Sequence, residues 1–139
     1  MLKYLSICTF TILLLLNINI PVANSFESGD LKLSQKAVDS FYDYISSKRK
    51  KTDKFLVTKD GSGTFVWVCP QTLCLPAGEN YYTRPCFKSN NNKPCKIFAT
   101  GRKIKWNIKG KIPSDLKKFK QRDSRNDLTN QLRKLGFID

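Results

Sequence analysis

Four cysteines within the stretch from Phe55 to Asn107 constrain this chain more than any other feature. Cys69, Cys74, Cys86 and Cys95 follow the spacing C-x4-C-x11-C-x8-C, and they sit in a segment that reads FLVTKDGSGTFVWVCPQTLC, then a polar stretch, then CKIFATGRKIKWN. The two short knuckles of most structural zinc sites are absent. An even cysteine count in a short exported chain reads instead as two disulfides. Three pairings are open from sequence; we pair neighbours, Cys69 with Cys74 and Cys86 with Cys95. The first closes the loop leaving a strand. The second ties a helical segment to the next strand, and each short loop should contribute roughly 2–3 kcal/mol.

Export is read from the first 25 residues. Lys3 precedes an apolar run from Leu5 to Ile20, and Ala23-Asn24-Ser25 forms a small-residue exit. That is the layout of a secretory signal peptide over 1–25. The run is interrupted by Asn17 and Asn19 and falls short of the roughly 20 residues a spanning helix needs. No other long apolar run follows, so no transmembrane segment is expected beyond it. Cys8 leaves with the leader, and the expected location is periplasmic or secreted. The chain carries a formal net charge of +14, and Lys3 is the only charged side chain within the leader. The positive surplus therefore stays with the remainder, where it favours anionic partners.

The expected fold is α+β: a small disulfide-stabilised antiparallel sheet of two hairpins, an N-terminal amphipathic helix, a short middle helix and a C-terminal helical tail. The expected units are 26–109 as the domain, 110–123 as a basic linker and 124–139 as the C-terminal helix. Ser34 is a good N-cap, with Leu33 and Val38 as a hydrophobic staple. From Gln35 to about Ser47, Ala37, Val38, Phe41, Tyr44 and Ile45 recur at helical spacing. Strands are expected at Phe55–Thr58 and Thr64–Cys69, divided by the Asp60-Gly61-Ser62-Gly63 turn. Both faces of the second are apolar, with Phe65 and Trp67 on one and Val66 and Val68 on the other. That pattern predicts a central strand, with Trp67 facing inward.

A short helix is expected over Glu79–Lys88, weakened by Pro85. A second hairpin should run Cys95–Thr100 and Arg102–Ile108 across Gly101. In its second arm Ile104, Trp106 and Ile108 alternate with Lys103, Lys105 and Lys109, so a row of lysines is expected on the solvent face. The 110–123 segment holds Lys111, Lys117, Lys118, Lys120 and Arg122 and is expected to be extended and mobile. Ser124 and Asp127 approximate a capping box, and Leu128, Leu132 and Leu135 share one face of the last helix.

The available chemistry argues against an enzyme. There is no histidine, and the only glutamates are Glu27 and Glu79. The usual general base near neutral pH and the commonest metal ligand are thus missing. Asp60 with Glu79 is the one carboxylate pair worth naming, and their spacing suggests nothing. Gly61-Ser62-Gly63 lacks the phosphate-loop pattern and has no following helix. No nucleic-acid module is recognised, so no specific nucleic acid is expected. Cofactors and metals are expected to be absent.

The candidate anion or partner contacts are Lys48, Arg49, Lys50 and Lys51, together with Lys103, Lys105 and Lys109. They suggest a non-catalytic interaction module for an anionic envelope component, such as phospholipid or cell-wall polymer, or for an acidic protein. The alternative is an inhibitor or accessory subunit of an envelope protein, docking through the sheet edge or the tail helix. A lysine row has a plainer use as protection of an edge strand against aggregation.

Phe55, Val57, Asp60, Gly61, the four cysteines, Cys95 to Ala99, Gly101 to Ile104 and Trp106 form a pattern that resembles small exported domains of unknown function from Gram-negative bacteria. The closing Leu132-Arg133-Lys134-Leu135-Gly136-Phe137 is similar to the tail of such proteins, and it also resembles the last helix of peptidoglycan-binding modules, whose three-helix unit has no counterpart here. The resemblance covers Ser34 to Asp139. It implies the fold just described and carries no chemistry.

Overall fold

The computed structural model describes residues 31–70, 74, 76–108 and 113–139. The expected leader, and Lys109 among the expected site residues, lie outside the described residues. The element order is α1 (Gln35–Ser46), β1 (Lys54–Thr58), β2 (Thr64–Trp67), α2 (Glu79–Ser89), β3 (Cys95–Thr100), β4 (Lys103–Ile104) and α3 (Arg125–Lys134). The strands form one antiparallel sheet in the order β2-β1-β3-β4. The architecture is α+β, with Cys69 paired to Cys74 and Cys86 paired to Cys95.

Two cores cover the two faces of the sheet. On one face α1 and α3 pack Phe41, Tyr44, Ile45, Leu128 and Leu132 against Phe55, Val57, Phe98 and Ile104. Phe41 sits at the centre, with its ring 5.0 Å from Phe55, 5.1 Å from Phe98 and 5.4 Å from Phe119. On the other face α2 sets Tyr82 and Cys86 over Leu56 and Cys95, flanked by Phe65, Trp67 and Ile97. β1 alternates between the two cores and is buried from Phe55 to Thr58. That is the signature of a strand covered on both faces.

β1, and not β2, is therefore central. β2 lies at an edge and each of its residues is only half-buried. Its two apolar faces reflect a sheet covered on both sides, a property that an edge strand shares with its neighbours. Trp67 is accordingly half-buried, whereas Trp106 is buried. Phe55 faces Ala99 and Leu56 faces Ile97, so Phe98 is the extra residue of a β-bulge. The bulge turns both Phe98 and Ala99 into the first core.

Local signals account for the element ends. The Ser34 side chain accepts from the Ala37 amide, and Ser124 and Asp127 form the reciprocal capping box. α2 continues through Pro85, held by buried Tyr82 and by Cys86, whose disulfide reaches β3. Asn91 and Asn92 then adopt positive φ, a conformation asparagine tolerates better than most residues. Gly61 has φ +70°, and a Cβ there would lie 1.8 Å from the Lys32 carbonyl oxygen. Only glycine fits between that turn and the incoming chain.

The segment expected as a mobile linker is docked over its described part, 113–123. Lys118 bridges to Lys103, the Ile104 amide donates to the Lys117 carbonyl, and the Phe119 amide donates to the Arg102 carbonyl. Phe119 is buried in the core shared by α1 and α3. The outer edge of β4 is thus paired, and a lysine row has no open edge there to guard.

Candidate functional site

The α1–β1 connection is built around Asp53. Its carboxylate is buried and accepts the Lys50 and Cys69 amides at 3.0 Å each. Its carbonyl accepts the Tyr44 hydroxyl and the Gly101 amide. Burial, and next the Asp53 charge, push the Tyr44 phenol far above its ordinary pKa, so the hydroxyl acts as a donor. Around this hub the end of α1 and the β3–β4 turn come together. Arg102 reaches across to donate to the carbonyls of Ile45 at 3.0 Å and Ser47 at 2.8 Å. Arg49 donates to the Tyr44 carbonyl and lies over the Tyr44 ring. Two guanidinium groups thereby satisfy the C-terminal carbonyls of α1, where the helix dipole favours cations.

This packing creates a basic cleft of about 330 Å³, lined by Arg49, Lys50, Lys51, Thr100, Gly101, Arg102, Lys103, Lys118 and Phe119. Its cations come from the α1–β1 connection, the β3–β4 turn and the 113–123 segment. No carboxylate is among the described lining residues. Lys51 and Lys118 are exposed, and no described carboxylate lies within ion-pair distance of Lys51, Lys103 or Lys118.

A second cleft, of about 420 Å³, opens on the other side of Thr100, between α2 and the sheet. Lys54, Lys96 and Lys105 line it together with Trp67, Tyr82, Ile97 and Glu79. The Lys54 ammonium lies 5.3 Å from the centre of the Tyr82 ring and 3.4 Å from the Thr100 hydroxyl. Burial lowers the Lys54 pKa, and the neighbouring Lys105 charge lowers it further, against a smaller opposing effect of Asp53. Tyr82 and Tyr81 meet the Trp67 ring edge-on, with centroids 4.9 and 6.0 Å away.

The candidates read from sequence are thus redistributed. Arg49, Lys50, Lys51 and Lys103 converge in the first cleft, although about fifty residues separate the two groups in the chain. Lys48 is exposed and lies outside the lining of that cleft. Lys105 goes to the second cleft, so the expected single row is divided. The strand period ends at Ile104, and the amides of Lys105 and Trp106 both turn to the Phe98 carbonyl. Sequence reasoning passed over Lys54, Lys96, Arg102 and Tyr82. Lys54 begins β1 and Lys96 is the second residue of β3, where a polar residue looks like an ordinary solvated end. The apolar face of α3 packs into the core.

Among the described residues no group of acidic, histidine or cysteine side chains could hold a metal ion. No described helix is long and apolar enough to cross a membrane. No family model, no curated protein and no solved structure matches the chain.

Proposed function

We propose that this chain is a non-catalytic interaction module that binds an anionic envelope component through the cleft at the end of α1. The observation that carries the proposal is the convergence of Arg49, Lys50, Lys51, Arg102, Lys103 and Lys118 from three segments, with no carboxylate among the described lining residues. Surface cations dispersed over a domain promote solubility; cations gathered in one concavity focus a field that draws anions. Two of them, Arg49 and Arg102, are held in place by helix carbonyls, so part of the charge is fixed before a partner arrives. The signal-peptide layout, the two disulfides and the resemblance to small exported bacterial domains support a periplasmic or secreted setting.

Retention on heparin or on anionic vesicles tests the proposal. Lys51→Gln, Lys103→Gln and Lys118→Gln together should lower the salt needed for elution, while Lys36→Gln, Lys88→Gln and Lys134→Gln together should leave it close to that of the unmodified protein. Equal shifts in the two triple variants would show that net charge alone acts. Binding that does not weaken with salt would favour an inhibitor or accessory subunit, because a charge-driven contact is screened and apolar docking is not.

A further inference from the structure

The cleft between α2 and the sheet has a composition that the basic cleft lacks. It combines an aromatic wall, cations and a carboxylate. Trp67 and Tyr82 form the wall, and Lys54, Lys96 and Lys105 supply the positive charge. The carboxylate among its described lining residues is Glu79, exposed in the first turn of α2. Its volume of about 420 Å³ lies within the roughly 300–1,000 Å³ of small-ligand sites.

Each part points to a different property of one ligand. Trp67 and Tyr82 favour a ligand with a flat apolar patch, and Trp67 is an edge-strand residue held half-open by its contacts with Tyr81 and Tyr82. Lys54 and Lys105 repel each other, and neither has a described carboxylate within ion-pair distance. An anion placed between them relieves that repulsion. Glu79 and the Thr100 hydroxyl add an acceptor and a donor for neutral polar groups. A bare inorganic anion would use only the lysines, and an apolar ligand only the rings.

We propose that this cleft binds an anionic sugar, a saccharide unit whose ring lies against Trp67, which Tyr82 backs edge-on, while its carboxylate or phosphate sits between Lys54 and Lys105. The site is distinct from the basic cleft and does not depend on that cleft being functional. The two meet at Thr100, which lines both. A charged glycan held in one can therefore continue into the other.

Titration calorimetry on the full-length protein tests the proposal, with tri-galacturonate, glucose 6-phosphate, maltotriose and inorganic phosphate as probes. Intrinsic fluorescence gives a parallel readout, because Trp67 is open to the cleft and Trp106 is buried. At least one of the two charged sugars should bind and shift the emission; the one that binds more tightly identifies carboxylate or phosphate as the preferred group. Lys54→Gln and Lys105→Gln should each weaken binding about tenfold, and Trp67→Phe should weaken it less than Trp67→Ala. Melting curves establish that each variant is folded, and Lys105→Gln, at an exposed position, serves if the others fail. The Lys51, Lys103 and Lys118 triple variant should still bind the short probes, which separates failure of this site from failure of the basic cleft. Inorganic phosphate binding as tightly as either charged sugar, maltotriose binding equally well, or no binding by either charged sugar would overturn the proposal.

Discussion

Asp53 joins the segment after α1, the start of β1 and Cys69, just past β2, through backbone groups. Between Lys51-Thr52 and Lys54 it looks like one more solvated charge, yet it is buried, and it is held by backbone amides and a buried hydroxyl. Replacing it with alanine leaves two amides without their acceptor. Asp53→Ala should therefore lose about 3 kcal/mol or more in urea denaturation, since bonds to a charged acceptor are worth roughly 1.5–3 kcal/mol each. Asp60 is the opposite case, a surface carboxylate whose surroundings set its acidity. The Lys93 ammonium, the Thr58 and Ser62 hydroxyls and the Ser62 amide hold it far below the ordinary carboxylate range. A depressed folded pKa stabilises the protein above the unfolded value, near 3.9, and that contribution fades as pH falls further. The melting temperature of Lys93→Met should consequently fall less steeply than that of the unmodified protein between about pH 4 and pH 2. The core residues of α1 were legible because helical spacing exposes them. Asp53 was not, because its partners are backbone groups that no side-chain pattern reports.

At the scale of elements, local codes served well and long-range placement did not. Ser34, Ser124 with Asp127, the turn glycines and the paired cysteines mark boundaries that the structure keeps. Strand order was misread because apolar alternation reports covering of a face and says nothing about which neighbours supply hydrogen bonds. The 113–123 segment was misread because Phe119 stands among lysines, and one aromatic side chain makes no periodic signal. Its burial beside Phe41 and the bridge from Lys118 to Lys103 make it a fifth participant at the sheet edge. Phe119→Ala should cost roughly 3–5 kcal/mol. Hydrogen exchange at Ile104, whose amide donates to Lys117, should rise in that variant more than exchange within β1. Exchange raised equally throughout would mean that the segment is no separate unit.

The whole molecule is a sheet with unequal covers. Among the described residues, one side carries two helices and a large aromatic core, and the other carries α2 over a small cluster. The smaller side relies on the Cys86–Cys95 bridge, which fastens α2 to β3. Cys86→Ala with Cys95→Ala should lower stability by roughly 2–3 kcal/mol on loop-closure grounds. The same variant should loosen the Tyr82 wall, so fluorescence of Trp67 should change while the buried surroundings of Trp106 persist. A uniform loss of both signals would mean that the two covers melt together. The overall class was readable from the sequence because strands, helices and cysteines each carry local signals. The two clefts were not, since each is assembled from three or more segments that only the fold brings together.

The lead into α1 is tied down by the C-terminal tail and by the β1–β2 turn. The Leu33 amide donates to the Phe137 carbonyl, the Ser34 amide donates to the Gly61 carbonyl, and Lys32 pairs with Asp139. Leu31, Leu33 and Phe137 share a single core. A polypeptide delivered from its N-terminus onward cannot seat Leu31 to Leu33 until residues as far as Phe137 have emerged. Maturation is therefore timed by the arrival of the tail, and until then Phe41 and its neighbours lack part of their cover. Until those residues arrive, the contacts that Leu31 to Leu33 make with the Phe137 segment stay open, so a chain delivered in this direction is handled in an unfinished state.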